Sequence, residues 1–446
     1  MDALKINNEY IEMVLKDQVS YADDYKKVVE KVANSTAIYK GKPVPFLYNP
    51  MFFTPEDEKS FSKIGKTMIE IGDKVFHKFR DDLEYRKKFN YPDYIINLML
   101  LPNSYEINVP IGRFDVFYKD KDNFKFCEIN TDGSSAMNED NAVGEILLES
   151  QALKDFSNKY DLKNNELIAS WVEKSLEIFN KWDPSNKKPN VAIVDFKESG
   201  TSYEFLEFKK AYENAGYNCI IADPRDLIYQ DGKLYFEDYR IDLVYRRIVT
   251  FELIEKKDEI GEFLKAYEEN AMCVIGTIRS QLIHNKIFFK ILHDKDTLDF
   301  LSEDERKFVK NHVPYTGKFE GGQEEFDKVL LDKDMYVLKP YDKNGSQGVF
   351  VGRDLSDEVW KEKLSKVFNK DYIYQEFVEP FKRDFLVYKE EAFKTETFGS
   401  IVGIFMYKED YAGLYTRIGK ENIISGLTSY NTVPNIIATN PLLSDS

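Results

Sequence analysis

Apolar residues recur at helical spacing through the first hundred residues of the chain. Ile64, Met68 and Ile71 illustrate the pattern, since residues three and four positions apart share one face of a helix. This spacing predicts that residues 1 to about 100 are mainly helical. The same spacing returns between residue 139 and about residue 181, where we again expect helices.

Alternation of apolar and polar residues predicts a pair of strands between these two helical regions. Arg113 and Asp115 are separated by one residue in the first strand, and Glu128 and Asn130 repeat that spacing in the second. Alternate residues of a strand point to the same face. Two neighbouring strands would therefore direct an arginine, two carboxylates and an amide toward one point.

Short apolar runs separated by helical segments follow a polar stretch at residues 184–190, which reads as a linker. Residues 191–194, 219–222 and 242–248 are predicted strands, and residues 203–215 form the predicted helix between the first two. Strands that alternate with helices are joined by parallel crossovers. We therefore expect an α/β unit after the linker.

A second motif lies in the region 285–380, which reads as α+β around a hairpin. An apolar strand carries Lys339, and Pro340 ends its ladder because proline has no amide hydrogen to donate. A Gly-Ser-Gln-Gly turn follows at residues 345–348. Such turns allow backbone N–H groups to approach phosphates, and a nearby lysine supplies a point charge. The alternative is an ordinary hairpin with glycine at its turn.

Composition limits the possible partners. The chain has 446 residues, which predicts two or three subdomains, and its net charge of −16 argues against a nucleic-acid partner. The three cysteines form no CxxC pair and the four histidines no HExxH motif. Without a signal pattern or an apolar run of membrane length, we expect a cytoplasmic protein with no membrane partner. Oligomeric state stays open, and residues 435–446 show no clear pattern.

The first motif is suited to magnesium chemistry. Mg²⁺ takes one or two carboxylates together with phosphate and water oxygens, so oxygens that converge beside an arginine suit Mg²⁺ that carries nucleotide phosphates. The alternative is a hairpin with a solvated polar face. Cys127 is out of phase with Glu128, so we expect it to face away into the core. No Ser/His/Asp or Cys/His arrangement indicates a protein nucleophile.

In this order the segments resemble the glutathionylspermidine synthase family, whose ligase domain is a circularly permuted ATP-grasp. The resemblance covers about residues 105–430. An ordinary ATP-grasp places the metal-binding Glu and Asn after the lysines, whereas here they come first. The motifs are Gly112-Arg113-Phe114-Asp115, Cys127-Glu128-Ile129-Asn130-Thr131-Asp132, Asn285-Lys286, Val337-Leu338-Lys339-Pro340 with Gly345 and Gly348, Tyr374-Gln375-Glu376-Phe377 and Gly413-Leu414-Tyr415-Thr416-Arg417.

The resemblance implies an α/β (α+β) fold, a circularly permuted ATP-grasp with a pre-ATP-grasp α/β subdomain and a helical N-terminal region. The expected divisions are a helical region at 1–104, the metal-binding part of the core at 105–183, the pre-ATP-grasp subdomain at 190–280, the lid subdomain at 285–380 and the rest of the core at 381–446. No cysteine precedes Cys127, so the first region is not the amidase that bifunctional family members carry.

The resemblance also implies roles for individual residues. Arg113 would be catalytic and would contact the nucleotide, and two Mg²⁺ ions on ATP would be held by Asp115, Glu128 and Asn130. The other expected nucleotide contacts are Lys286 and Lys339 at the phosphates, Gly345, Ser346, Gln347 and Gly348 in the lid loop, and Gln375, Glu376, Phe377 and Val378 around the adenine.

The implied activity is that of an ATP-dependent carboxylate–amine ligase, which forms an amide through an acyl phosphate from a small-molecule acid and amine. Ser134, Ser135 and Arg417 are candidate substrate contacts. Arg246 and Arg247 could also bind a substrate carboxylate, although pairing of these two strand-end arginines with surface acids is at least an equal alternative. The loop after Asn130 lacks the proline expected there, which leaves glutathione and spermidine open. The competing functions are an acid-activating phosphotransferase and a nucleotide-binding module without turnover.

Overall fold

A computed structural model of the chain describes residues 2–102, 105–198, 202–343, 345–425 and 429–440. Helices and strands are mixed along it, which confirms the α/β class. The α-helices are α1 Ala3–Lys16, α2 Gln18–Ala33, α3 Pro55–Asp81, α4 Leu83–Lys87, α5 Asp93–Leu100, α6 Met137–Leu148, α7 Gln151–Phe156, α8 Ala169–Trp182, α9 Ser202–Asn214, α10 Thr250–Glu255, α11 Gly261–Glu268, α12 Gln281–His284, α13 Ile287–Leu292, α14 Lys295–Leu298, α15 Glu303–His312, α16 Gln323–Leu331 and α17 Asp357–Val367.

The strands form several separate sheets around these helices. They are β1 Ile38–Tyr39, β2 Lys42–Pro43, β3 Met51–Phe53, β4 Ile111–Tyr118, β5 Phe124–Asn130, β6 Asp161–Asn164, β7 Val191–Val194, β8 Cys219–Ala222, β9 Ile228–Gln230, β10 Lys233–Phe236, β11 Tyr239–Ile241, β12 Leu243–Arg246, β13 Cys273–Ile275, β14 Thr316–Lys318, β15 Tyr336–Pro340, β16 Phe350–Val351, β17 Tyr372–Glu376, β18 Lys382–Lys389, β19 Ala392–Tyr407, β20 Asp410–Gly419, β21 Asn431–Val433 and β22 Asn435–Thr439.

Helix α3 shows how the apolar periodicity becomes structure. Its N-terminus is a capping box, in which the Thr54 side chain accepts from the Asp57 backbone and the Asp57 side chain accepts from the Thr54 backbone. Ile64, Met68 and Ile71 are buried along one face, as their spacing predicts. The helix packs this face into the main hydrophobic core.

The largest sheet carries the first motif. Its strand order is β21-β20-β19-β4-β5, and β18 also pairs with β19. Strands β4 and β5 form the antiparallel hairpin that the alternation predicts, whereas β19 and β20 come from the far end of the chain. Residues more than 250 positions apart in sequence therefore meet in one sheet.

The α/β unit lies after residues 184–190, which contain no helix or strand. Strands β13-β12-β7-β8 are parallel in that order. Helix α9 joins β7 to β8 and is followed by Gly216 at φ +87°, a left-handed conformation that glycine adopts at helix ends. The predicted parallel unit is therefore present.

A third sheet bears the second motif. Its order is β14-β17-β15-β16, all antiparallel, with α16 and α17 packed on it. Strand β15 ends at Pro340, and the glycine turn joins it to β16. This arrangement agrees with the α+β pattern expected for residues 285–380, while the domain boundaries themselves stay predictions.

Two strands lie where the sequence pattern does not predict them. Strand β22 is the middle strand of a sheet with β3 and β6, although residues 435–446 show no clear pattern; residues 441–446 lie outside the described part. Strand β6 also interrupts the region expected to be helical. Both strands are short, and their partners are remote in sequence, so local periodicity does not reveal them. Across the described residues, none of the helices is both long and apolar enough to cross a bilayer.

Candidate active site

Four polar side chains converge on one face of the β4–β5 hairpin. Arg113 pairs with Asn130, and Asp115 pairs with Glu128, across the antiparallel ladder. Alternate residues of a strand share a face, so both pairs project to the same side. The structure thus brings together the predicted catalytic arginine and the three predicted metal ligands, whose roles stay predictions.

Asp115 is fully buried and surrounded by donors. Arg113 donates from Nε to Oδ1 at 2.7 Å and from Nη2 to Oδ2 at 3.0 Å. Arg417 of β20 donates from Nη2 to the same Oδ2 at 2.7 Å, and Asn130 Nδ2 lies 3.2 Å from it. A buried carboxylate needs such partners, and here it fixes two guanidinium groups next to one another.

Space for this cluster depends on Gly403. This residue of β19 lies opposite Asp115 in β4. A Cβ at Gly403 would lie 2.7 Å from Arg113 Cδ and 2.8 Å from Asp115 Oδ1. Gly403 is not part of any sequence motif described above. A glycine within an apolar strand is the signal that could have identified it, since such a glycine often marks a close approach of another part of the chain.

Charge at the site centres on Glu128 and Lys286. Burial alone would raise the pKa of Glu128, but the charges of Lys286 and Arg417 and a hydrogen bond from Asn130 hold that pKa well below its ordinary value. Burial lowers the pKa of Lys286, although the Glu128 carboxylate opposes this effect. Lys286 Nζ donates to the Lys343 carbonyl at 3.0 Å. The Glu128 carboxylate and the Lys286 ammonium group are thus close enough to alter each other's pKa.

A cavity of about 740 Å³, open to solvent, lies between the hairpin and the third sheet. We call it the nucleotide cavity. Its walls combine apolar side chains such as Phe117, Val337 and Ile401 with three lysines. The predicted nucleotide-contact residues on its lining are Lys286, Lys339, Ser346, Gln375, Glu376, Phe377 and Val378.

Lys339 is held at this cavity by two acceptors. Its Nζ donates to the Cys127 carbonyl at 3.0 Å and to Gln375 Oε1 at 2.8 Å. Gln375 is fixed in turn because its Nε2 donates to Thr316 Oγ1 at 2.9 Å. Strand β15 therefore delivers the lysine, and β17 orients it.

The glycine loop bends over the same region. Gly345 and Gly348 have φ of +64° and +74°, and a Cβ at Gly348 would lie 2.6 Å from the Tyr372 hydroxyl. Ser346 lines the nucleotide cavity, and Gly345 lines a neighbouring one. Gln347 and Gly348 line neither of these two cavities, so the structure does not place them at a ligand.

The neighbouring cavity, of about 850 Å³, is polar and is called here the substrate cavity. Arg113, Asn130, Ser134 and Ser135 line it. It shares three lining residues with the nucleotide cavity: Glu128, Ser346 and Arg417. The two spaces therefore meet at the carboxylate and arginine of the central cluster.

Glu139, which belongs to none of the sequence motifs, also lines the substrate cavity. The Tyr415 hydroxyl donates to Glu139 Oε2 at 2.7 Å. The Tyr415 ring lies 5.5 Å from the Arg113 guanidinium and 5.8 Å from that of Arg417. Burial raises the pKa of Glu139 to about 7. An acidic residue in the first turn of a helix is common, so no sequence signal distinguishes it.

The two arginines at the end of β12 do not reach either cavity. Arg246 Nη2 donates to Asp132 Oδ1 at 2.6 Å, and its other nitrogens bond backbone carbonyls, including that of Ile248. Arg247 pairs with Glu204 at 3.0 Å and donates to the Ser134 carbonyl. Pairing with acids, the alternative to substrate binding, is therefore found for both arginines. The expected surface location of those acids is wrong, because Asp132 and Glu204 are buried.

The expectation that Cys127 faces away from the site is wrong. Cys127 lines the nucleotide cavity together with Glu128. The ladder explains this placement, because Asp115 pairs with Glu128 while Val116 pairs with Phe126, which leaves Cys127 as an extra residue in a bulge. Burial raises the pKa of its thiol to about 11, so we assign it no catalytic role.

Glu128 and Asn130 suit Mg²⁺ better than Asp115 does in this conformation. Both line the substrate cavity and present oxygen atoms, the ligands that Mg²⁺ prefers. Both Asp115 oxygens are engaged by Arg113, and Arg417 and Asn130 also contact Oδ2, so Asp115 has less capacity left for a metal. Among described residues, no group of three or more His, Cys, Asp or Glu side chains suits a metal. The donor set thus fits Mg²⁺ that also takes phosphate oxygens.

In this mixed α/β protein, carboxylates, arginines and lysines carried by strands thus lie around two adjoining cavities. Residues 56–438 match the family model described as "Glutathionylspermidine synthase preATP-grasp". The match covers most of the chain, so the chain belongs to the glutathionylspermidine synthase family and shares its ATP-grasp type of fold. A search of curated proteins gave no match.

Three solved structures with some similarity are described as synthetases or ligases. One, from Methylobacillus flagellatus KT and provisionally described as a gamma-glutamylcysteine synthetase, has 10% identity and a TM-score of 0.43 over 86% of this chain and 89% of its own. D-alanyl-alanine synthetase A from Vibrio cholerae has 12% identity and a TM-score of 0.30, and the match covers 56% of this chain and 90% of that one. VanG D-Ala:D-Ser ligase from Enterococcus faecalis has 16% identity and a TM-score of 0.27, and the match covers 52% of this chain and 76% of that one.

Proposed function

We propose that this protein is an ATP-dependent carboxylate–amine ligase that forms an amide through an acyl phosphate. The observation that supports it is the junction of the two cavities at Glu128 and Arg417. A nucleotide in the first cavity would present its terminal phosphate at this junction. An acid in the second would meet it there, between two guanidinium groups.

The chemistry follows from the weak reactivity of a carboxylate. A carboxylate oxygen of the substrate attacks the γ-phosphorus of ATP, and ADP leaves. The amine nitrogen then attacks the acyl carbon, phosphate leaves, and the nitrogen loses its proton. Both steps concentrate negative charge on oxygens, so fixed guanidinium groups on Arg113 and Arg417 are suitable catalysts.

Each predicted group has a place in this scheme. Lys286 and Lys339 would neutralise phosphate oxygens, and the segment from Gln375 to Val378 would contact the adenine. Ser134 and Ser135, with Arg417, would bind the acid. When bound by Asp115, Glu128 and Asn130, Mg²⁺ would supply charge neutralisation and orientation of the phosphates, with two ions expected from the family.

The first experiment needs no knowledge of the amine. Purified protein is incubated with ATP, Mg²⁺ and a panel of carboxylic acids in the presence of hydroxylamine, which converts acyl phosphates into hydroxamates. We expect ADP and a hydroxamate with the correct acid. That acid is then tested with a panel of amines, and phosphate release with amide formation identifies the ligase reaction.

A matched pair of variants connects the activity to the site. Glu128→Gln removes the junction carboxylate and should lower turnover at least about 100-fold. Asp122→Asn, an exposed position in the turn of the same hairpin, should leave it unchanged. A phosphorylated product without an amide would favour the phosphotransferase, and nucleotide binding with no turnover of any acid would favour a binding module.

A further inference from the structure

The loop at residues 131–136 joins β5 to α6 and is called here the substrate loop, because the two candidate substrate serines lie on it and line the substrate cavity. Its beginning is fastened to the chain that follows β12. The Asp132 side chain accepts from the Arg246 guanidinium and from the Thr250 backbone N–H. The substrate loop therefore rests on the carboxyl end of a strand of the parallel sheet.

The middle of the substrate loop lies directly against this part of the chain. Gly133 has a left-handed φ of +65°. A Cβ on it would lie 2.8 Å from the Arg247 carbonyl oxygen and 2.7 Å from Val249 Cγ1. Both the conformation and the close approach require glycine here, so the two backbones are packed without a side chain between them.

The end of the substrate loop adopts a conformation that its own sequence does not favour. Ala136 has a left-handed φ of +81°, which is unfavourable for a residue that carries a Cβ. It is also the N-cap of α6, and its methyl side chain cannot accept a hydrogen bond from the first turn. An interaction from elsewhere in the chain must hold this turn in place.

Glu204 of α9 supplies that interaction. Its Oε2 accepts from the Ala136 N–H at 2.8 Å and from the Asn138 N–H at 3.3 Å. The Glu204 side chain is only 5% exposed, and a negative charge is favourable at the N-terminus of a helix. A residue of the α/β unit therefore caps α6 and fixes the left-handed turn.

Arg247 connects Glu204 to the rest of the substrate loop. Its Nη2 donates to Glu204 Oε1 at 3.0 Å, and its Nη1 donates to the Ser134 carbonyl. The guanidinium lies 5.3 Å from the ring centres of Tyr245 and Phe205, which restricts its orientation. The buried pair therefore holds the substrate loop on both sides of its second serine.

This support fixes groups that face the substrate cavity, although neither member of the pair is part of its lining. The Ser135 carbonyl accepts from Arg113 Nη1 at 2.8 Å, and Glu139 lies in the first turn of α6. We propose that Glu204 is a positioning residue that, with Arg247, holds the substrate loop in the geometry that binds the acid. This inference rests on the proposed ligase function and adds to it a role for the α/β unit.

Amide hydrogen exchange on the full chain tests the contact without any substrate. We expect Glu204→Ala to speed exchange at Ala136 and Asn138 about tenfold or more, while β15 in the third sheet exchanges as in the wild type. Glu213→Ala, the same change at an exposed position of α9, should alter neither. Unchanged exchange at the two amides in Glu204→Ala would overturn the proposal.

A second variant guards against misfolding, because Glu204→Ala leaves a buried arginine without its ion pair. Glu204→Met combined with Arg247→Met removes both charges and keeps side chains of similar length, a change that is often neutral for stability. We expect this double variant to fold, as judged by circular dichroism, and to show the same faster exchange. Exchange as slow as in the wild type would contradict the proposal.

The kinetic test uses the acid identified in the hydroxamate assay. Glu204→Ala and the double variant should raise the KM for the acid about tenfold or more, with the KM for ATP unchanged. Glu204→Gln keeps an oxygen for the two amides and should recover part of this loss. A lower kcat with both KM values unchanged would indicate a merely structural role and refute the proposal. A wild type that turns over no acid would refute the ligase reaction, and the exchange measurement would still decide whether Glu204 holds the loop.

Discussion

Gly403 offers a direct test of how the central cluster is packed. A methyl group at this position would lie 2.7 Å from Arg113 Cδ, whereas carbon atoms in contact are about 3.5–4.0 Å apart. Arg113 cannot easily withdraw, because it holds both oxygens of Asp115 and donates from Nη1 to the Ser135 carbonyl at 2.8 Å. Overpacking of this kind costs about 1–3 kcal/mol. We expect Gly403→Ala to lose about 2 kcal/mol in the free energy of unfolding.

The assay is urea unfolding followed by circular dichroism, with Gly261→Ala as the control. Gly261 begins α11 and has no atom within 4 Å of its Cβ position, so alanine there should be neutral or stabilising by about 0.4–1 kcal/mol. Arg113→Ala removes the nearest clash, and the cost of Gly403→Ala should shrink in that background. A Gly403→Ala protein as stable as the wild type, or a cost unchanged without Arg113, would refute this account.

Three more predictions concern single residues. Burial raises the pKa of Glu139 from 4.5 to about 7, so its contribution to stability is complete below pH 4.5 and is lost as the pH rises through 7. In Glu139→Gln, the free energy of unfolding in urea should therefore depend less on pH between pH 4.5 and 7. The same pH dependence in the variant and the wild type would contradict the assignment. Arg246→Met leaves Asp132 buried without its ion pair and should cost about 3–5 kcal/mol in urea unfolding; a loss below about 1 kcal/mol would contradict the pairing. Cys127, the one partly exposed cysteine, should react with iodoacetamide faster as the pH rises toward 11, and Mg·ATP should slow it; labelling unaffected by nucleotide would argue against the nucleotide cavity.

The convergence of the four hairpin residues can be predicted from the sequence because it depends on strand alternation alone. Strand alternation places Arg113 and Asp115 on one face of β4, and Glu128 and Asn130 on one face of β5. Antiparallel pairing of the two strands is then enough to bring the four side chains together. The same rule fails for Cys127, since a bulge inserts one extra residue and reverses the phase beyond it. Periodicity contains no information about where a ladder is interrupted.

Contacts between residues that are far apart along the chain cannot be predicted from local sequence patterns. Arg246 sits at a strand end near other polar residues, and nothing local identifies Asp132, 114 positions away, as its partner. Gly403 marks a close approach without saying to what. Glu139 has an altered pKa only because the fold buries it beside Tyr415, and burial of this kind depends on the whole assembly.

The distance along the chain between Asp115 and Arg417, 302 residues, has a consequence for how the protein is made. During synthesis β4 and β5 emerge long before β19 and β20. Until then, the edge of β4 that pairs with β19 has no partner strand, and Asp115 lacks its contact with Arg417. Contacts of such wide separation form slowly, and an open strand edge invites association with other chains. The cluster around Asp115 and Arg417 is therefore among the last features to assemble, and we expect nascent chains halted before residue 392 to depend on chaperones.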